Sequence, residues 1–450
     1  MDAFNENSNE QQAQQPIGCL HRFSKTIKVV IIGLLILLLM IPMFMIENLI
    51  SERGRTQEEA IDEVSEKWSL AQTITGPYLN LQYPVVTENN GEKKVSIKDL
   101  ILFPDELMVN GQLKTEILKR SIYEVNVYQS ELTLKGSFSS EELKKSRIDM
   151  DQLQFDRAAI CLNLTDMRGI SEQISITLGD SVYIFEPGMD NRGIANTGVH
   201  AIANLSELKQ NKKLPYEIKI KLKGSQSLNF IPLGKTTRVD LKANWNTPSF
   251  TGNYLPNNRN ITEKEFSAQW QVLNLNRNYS QVMADYNTSN IKDIENSSFG
   301  VNFKIPVEQY QQSMRSAKYA ILIILLTFGV IFFTEIMNKT RIHALQYLLV
   351  GLALCLFYSL LLSFSEHIGF NPAYLLSSAL TIILVGGYMF GITKKKKPSL
   401  IMSGLLGILY LYIFVLIQLE TFALLAGSLG LFIILAMVMY FSKKIDWFNE

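Results

Sequence analysis

Histidine and cysteine are scarce in this chain, which has 4 of the first and 3 of the second among 450 residues. That scarcity narrows the chemistry, because a zinc site needs several His, Cys or carboxylate ligands and a hydrolase nucleophile needs a base to activate it. Only His200 and Cys161 fall in the water-facing part of the chain, and neither sits at the spacing of a catalytic or metal motif, so both are expected to be structural. Cys19, Cys161 and Cys355 fall in the N-terminal tail, the large polar region and an apolar run, so no two share a compartment and no internal disulfide is expected. Ile17-Gly18-Cys19 is no lipoprotein cleavage site, since its apolar stretch follows the cysteine instead of preceding it. Phosphate-binding loops, dinucleotide-binding glycine patterns and Gly-x-Ser-x-Gly are missing too. The expectation is a protein that is not an enzyme and has no catalytic residue, cofactor or metal. Charge is also thin, at 19% of residues with a net of +1, and gives no signal for nucleic acid.

Apolar runs are what the chain has in surplus. Ile27 to Ile46 is uncharged behind His21, Arg22, Lys25 and Lys28, and without small residues at its end it predicts an uncleaved membrane anchor. Ser313 to Glu335 opens an almost continuous apolar region, followed by runs at Ala344–Phe364, Ala373–Ile392, Leu400–Leu419 and Thr421–Phe441. Each is long enough to cross ~30 Å of hydrocarbon as a helix, so six transmembrane helices are expected. Lys339 with Arg341, Lys394 to Lys397, and Lys443 with Lys444 fall at alternate connections, as do the basic residues before the anchor. By the positive-inside rule both termini are then cytoplasmic and the region between the first two spans is outside. Arg315 and Lys318, at the outer end of the second span, run against that rule, but they follow a large translocated domain, where it is weakest. Glu335 and Glu366 lie near span ends, where carboxylates are cheap, so the reading of the helices as a transporter or lipid-handling channel is the weaker one. Gly386-Gly387 and Gly404 with Gly407 predict close helix packing.

Between the first two spans the pattern changes to period two. Ile174, Ile176 and Leu178, then Ile218, Ile220 and Leu222, Val239, Leu241, Ala243 and Trp245, and Phe266, Ala268, Trp270 and Val272 each alternate with polar neighbours, which predicts half-buried strands. Thr56 and Glu59 stand at capping-box spacing before an amphipathic stretch, predicting a separate short helix ahead of the strands. The expected organisation is a tail over 1–26, a first span over 27–46, an antiparallel β-rich domain over 47–316, a second span over 317–337 and four more over 338–450. The fold class is therefore α+β with a membrane part. Leu132-Thr-Leu-Lys-Gly-Ser is echoed by Ile220-Lys-Leu-Lys-Gly-Ser, which would suit two related sandwich halves.

Several strings in order resemble the CreD family of bacterial inner-membrane proteins, also called cell envelope integrity proteins. They are Arg120-Ser-Ile-Tyr-Glu-Val-Asn-Val-Tyr128, Asp166-Met-Arg-Gly-Ile170, Pro232-Leu-Gly-Lys-Thr236, Trp245-Asn-Thr-Pro-Ser-Phe250, Leu255-Pro256, Leu275-Asn-Arg277, Phe299-Gly-Val, Pro306-Val-Glu-Gln-Tyr-Gln311 and Arg315-Ser-Ala-Lys-Tyr-Ala320. Where the family pattern often has Arg-Gly-Ile-Tyr, this chain has Ser121 in place of the glycine, a departure that leaves the resemblance intact. The resemblance implies a Gram-negative inner-membrane protein tied to envelope stress, colicin tolerance and a two-component regulon, with a periplasmic domain and no established catalytic residue. Arg168, Trp245, Pro248, Phe250 and Arg315 are the candidate site residues within these strings, with Trp245 and Phe250 expected in the core because aromatics dominate β cores. Besides the lipid bilayer, the partner expected is an envelope protein, lipid or glycan, with an envelope hydrolase as a further alternative. The oligomeric state is not legible.

Overall fold

The computed structural model describes residues 24–89, 92–145, 148–189, 194–195, 197–210, 212–284, 288–303, 308–338, 340–419 and 423–443. Most of the predicted tail, Cys19, Glu420 and Lys444 lie outside the described residues. The chain forms two compact units, Gln57–Pro306 and a second built from residues up to Thr56 and from Val307 onward.

The helices in chain order are α1 (Ser24–Trp68), α2 (Glu141–Lys145), α3 (Thr288–Asn296), α4 (Glu308–Ala317), α5 (Ala320–Asn338), α6 (Ala344–Ile368), α7 (Phe370–Thr393), α8 (Lys396–Gln418) and α9 (Ala423–Ser442). The strands are β1 (Gln72–Asn89), β2 (Glu92–Leu102), β3 (Glu106–Arg120), β4 (Tyr123–Phe138), β5 (Ala158–Leu164), β6 (Ser175–Leu178), β7 (Ser181–Ile184), β8 (Glu186–Pro187), β9 (Gly198–Ala203), β10 (Leu214–Ser225), β11 (Ser227–Phe230), β12 (Thr236–Ala243), β13 (Ser249–Gly252), β14 (Asn258–Ile261), β15 (Phe266–Leu273), β16 (Val282–Ala284) and β17 (Phe299–Asn302).

In the Gln57–Pro306 unit two sheets face each other across one apolar core. A nine-stranded sheet has the order β13-β17-β11-β1-β5-β9-β8, with β2 and β16 continuing from β1, and an eight-stranded sheet has the order β14-β15-β12-β3-β4-β10-β6-β7. The predicted alternation sets the core face: Ile218, Ile220 and Leu222, with Val239, Leu241 and Ala243, are buried, while Lys219 and Lys242 point to water. Each fully buried aliphatic side chain contributes about 1.5–3 kcal/mol. Most ladders are antiparallel as expected, but β1 pairs with β11 and β3 with β12 in parallel. The long connections between those strands carry the chain back before it re-enters the sheet, which short hairpins cannot do. All of β5 is buried, because the sandwich core covers one face and a second cluster, including Tyr78, Phe103 and Ile294 of α3, covers the other. That double cover removes the alternation a sequence reading relies on.

The echoed segments lie side by side on β4 and β10 and face one shared core. Leu132 is opposite Ile220, while Tyr128 faces Gly224 and Tyr216 faces Gly136, a local two-fold arrangement. Each phenol passes over its glycine and donates onward, Tyr128 to the Ser227 carbonyl at 2.8 Å and Tyr216 to that of Glu106 at 2.9 Å.

α1 runs unbroken over Ser24–Trp68, where an anchor to Ile46 and a separate helix from Thr56 were expected. No helix-breaking pair interrupts Glu47 to Thr56, and the Thr56 hydroxyl donates back to the Glu52 carbonyl at 3.0 Å instead of capping a new helix.

The other unit is helical. α1, α5, α6, α7 and α8 are long and apolar enough to cross a membrane, and α9 is apolar over Leu425–Met437, so the expected count of six spans fits. Leu39 and Met43 on α1 are buried, and Leu39 packs where a side chain at Gly351 of α6 would stand. Gly386 approaches Ser403 closely, and the Ser399 hydroxyl donates to the Gly386 carbonyl at 2.6 Å. Gly387, Gly404 and Gly407 have open space beside them, so close packing holds at Gly386 and not at the other glycines the sequence suggested.

Candidate functional site

In the β unit a polar groove forms where β1 begins. Alternation turns Ile74 into the core and leaves Thr73 and Thr75 on the outer face. Thr75 pairs with Asn163 of β5, after which the ladder shifts register between Thr75 and Tyr78. Gly76 carries that shift at φ +139°, and a Cβ there would stand 2.9 Å from the Cys161 carbonyl oxygen, so only glycine fits. The shift brings Tyr78 onto the outer face, where its hydroxyl donates to Asn163 Oδ1 at 2.6 Å and accepts from the Ile194 N–H at 2.9 Å. Asn163 in turn donates to the carbonyls of Ala195 at 3.0 Å and Thr197 at 2.8 Å. One buried amide and one phenol thus hold the neighbouring loop in place.

The resulting groove has a volume of about 250 Å³ and is lined by Thr73, Thr75, Asn163, Thr165, Thr197, Glu295 and Ser298 over an apolar floor of Leu164, Ala195 and Ile231. Its lining includes the hydroxyl-bearing side chains of four threonines and Ser298, with Glu295 as the carboxylate. Such a surface offers hydrogen-bonding groups to whatever occupies it.

The candidates picked from the sequence lie elsewhere. Asp166 accepts from Arg168 Nε at 2.9 Å, from the Leu70 N–H at 2.9 Å and from the Arg168 N–H at 3.1 Å. Arg168 also donates from Nη1 to the Glu66 carbonyl in the last turn of α1, so it satisfies an end carbonyl of that helix. Burial opposes the charge on Asp166, but the hydrogen bonds from Arg168 and the two N–H groups outweigh it and hold the carboxyl below its ordinary value. Trp245 and Phe250 are half-buried against the core, Phe250 edge-on to Phe266 at 5.8 Å and Trp270 at 5.6 Å. Trp245 donates to the Thr247 carbonyl at 3.1 Å, beside a half-buried Pro248. Arg315 is exposed on α4.

Two features escaped the sequence reading. Cys161 lies directly opposite His200, and His200 opposite Glu186, in a row across β5, β9 and β8. No motif could announce it, because the register of three distant strands creates it. His200 Nδ1 is 2.7 Å from the Gly188 carbonyl oxygen, and Cys161 is fully buried. A reactive cysteine needs an accessible thiolate, which that burial withholds.

The second is a buried arginine. Arg277 donates to the carbonyls of Tyr279 at 2.9 Å and Leu233 at 3.1 Å and to Gln281 Oε1, with its guanidinium 4.3 Å from the Tyr279 ring centroid. Burial lowers its affinity for a proton and pushes the Tyr279 phenol up to about 12. These contacts bind the Pro232–Thr236 string to the Leu275–Arg277 string.

In the helical unit, Lys28 of α1 pairs with Glu335 of α5, which also accepts from the Ile342 N–H at 3.2 Å and the Tyr347 hydroxyl at 3.2 Å. Glu366 accepts from Tyr310 at 3.0 Å and lies 3.9 Å from Arg53. Both carboxylates that could have served a transport path are thus engaged in holding helices together.

The profile of the family described as Inner membrane protein CreD matches residues 24–448. The protein of that name from Escherichia coli (strain K12) is 32% identical over 420 residues, covering 92% of this chain and 91% of the relative.

Proposed function

Because the chain belongs to the CreD family of inner membrane proteins, we propose that it is a non-enzymatic envelope-integrity protein whose β unit faces the periplasm and binds a polar envelope component. The Lys and Arg distribution supports this orientation, since the connections after α5 and α7 carry the basic residues and those after α6 and α8 carry none. The groove at Thr73, Thr75, Asn163 and Ser298 is the observation that carries the binding role, because its hydroxyl-rich walls suit the hydroxyls and amides of a glycan better than an apolar partner.

In-cell photo-crosslinking tests it. A crosslinker at Thr75 or Ser298 should capture an envelope glycan or glycan-bearing species that one at Lys219, on the opposite sheet, does not. Equal capture from all three positions, or none from the groove, would remove the groove from the function.

An envelope hydrolase is the second reading, favoured by the Cys161–His200–Glu186 row and opposed by the burial of the thiol. Maleimide labelling of the folded chain separates the two. Rapid modification of Cys161, abolished by His200→Ala, would favour the hydrolase.

A further inference from the structure

A second groove lies in the helical unit, and its two ends differ in chemistry. It has a volume of about 370 Å³ and is lined by Ile321, Leu322 and Leu325 of α5, Tyr412 and Leu416 of α8, and Gly427 and Leu431 of α9, with Lys318 and Tyr319 at its mouth. Lys318 and Tyr319 immediately precede the apolar run of α5, while Leu325 is about two turns further in, a depth of ~10 Å at ~1.5 Å per residue. The groove therefore runs from the start of a membrane-crossing helix toward its middle.

Two glycines of α9 give the groove its shape. At Gly430 the helix is drawn against α8 so closely that an added Cβ would stand 1.8 Å from the Tyr412 hydroxyl oxygen, and that hydroxyl donates to the Ala426 carbonyl at 2.8 Å. One turn earlier, at Gly427, an added Cβ would meet nothing within 4 Å. The helices are pinned at one level and leave a notch at the next.

Lys318 supplies the charge. Its side chain is exposed and has no side-chain partner among the described residues. With Arg315 one turn before it, it stands at the end of the bundle opposite Lys394–Lys397, where topology alone does not call for basic residues. A cation at the mouth of an apolar groove, flanked by Tyr319 at headgroup level, complements one occupant: a lipid whose acyl chain fills the groove and whose phosphate meets the ammonium. The geometry points to a bound anionic phospholipid at the α5–α8–α9 groove, with Lys318 holding the phosphate and Gly427 making room for the chain. Of the two basic residues that run against the charge rule, Lys318 then belongs to a lipid site.

The test is native mass spectrometry of the full chain in detergent, titrated with phosphatidylglycerol or phosphatidylcholine of equal chain length. The wild type should retain one phosphatidylglycerol at about ten-fold lower concentration than phosphatidylcholine. Lys318→Ala should erase that preference, Gly427→Leu should abolish both adducts, and replacing Lys394 to Lys397 with alanine should change neither. Size-exclusion profiles report folding, and Lys318→Ala, a change at an exposed position, carries the test if Gly427→Leu does not fold. Equal retention of the two lipids by the wild type, which marks ordinary surrounding lipid, would overturn the proposal. So would an undiminished preference in Lys318→Ala, or a dimer mass that only Gly427→Leu disperses, which would assign the groove to a second copy of the chain.

Discussion

Gly224 on β10 lies directly opposite Tyr128 on β4, and a Cβ at Gly224 would stand 2.2 Å from the Tyr128 hydroxyl oxygen. The same relationship recurs on the other side of the local two-fold, where a Cβ at Gly136 would stand 2.6 Å from the Tyr216 hydroxyl oxygen and 1.8 Å from the Glu106 carbonyl oxygen. Gly224→Ala should destabilise the β unit by about 1–3 kcal/mol, the usual range for overpacking a filled site. Gly136→Ala should cost more, because the atom it meets is backbone and cannot rotate away. Chemical denaturation of the full chain, followed by near-UV circular dichroism, measures the order of the two.

Ser121 offers the opposite case. It sits at φ +57° in the turn between β3 and β4, in the left-handed region that favours glycine. Left-handed backbone costs a side-chain-bearing residue roughly 1–2 kcal/mol, against roughly 0.4–1 kcal/mol of unfolded-state entropy that glycine adds. Ser121→Gly should therefore stabilise the unit by about 0.5–1 kcal/mol, seen as a higher denaturation midpoint; a lower one would show that the serine side chain contributes something the turn needs.

Asp166 and Arg168 predict a pH dependence. A carboxyl whose value is depressed on folding adds stability that is present above its ordinary value of 3.8 and lost as pH falls through the folded value. Asp166→Asn should weaken the protein at neutral pH and flatten the acid limb of its stability profile. Arg168→Ala should shift that limb less, because the backbone N–H groups of Leu70 and Arg168 still hold the carboxylate and the arginine is half-exposed. Thermal midpoints from neutral pH to about pH 3 measure both.

Arg277 is held by a fork of donors against carbonyls and an aromatic ring, so lysine should not replace it. Arg277→Lys is expected to lose about 1.5–3 kcal/mol, the worth of a charged hydrogen bond left unmade, and Arg277→Ala somewhat more. A Lys variant as stable as the wild type would mean the planar fork is unimportant.

Lys28 and Glu335 are coupled, and a double-mutant cycle should show it. Glu335→Gln leaves an ammonium between helices without its carboxylate, and the loss should lie below the ~3–5 kcal/mol of a fully buried pair because Lys28 is 29% exposed. Lys28→Met with Glu335→Gln should recover part of that loss. Strictly additive losses in detergent thermal melts would show that the pair does not interact.

The sequence by itself determined the membrane spans and four of the sandwich strands, β6, β10, β12 and β15, because both signals are short-range. A span needs only an apolar run, and a strand with one wet face prints its burial at period two, as Ile218, Ile220 and Leu222 do. Trp245 and Phe250 were legible as aromatics near a core but not in their half-buried state, which depends on their packing against the core from its margin. Tertiary structure alone decided the rest. The full burial of β5 needs a second layer over its outer face, and the Cys161–His200–Glu186 row needs the register of three strands. The hydroxyl-rich groove gathers threonines from β1 and the end of β5 with the end of α3, segments that are far apart along the chain. Arg315 and Lys318 read from sequence as a breach of the charge rule; tertiary structure sets Lys318 beside the groove at Gly427, because only packing shows where a helix leaves its neighbour.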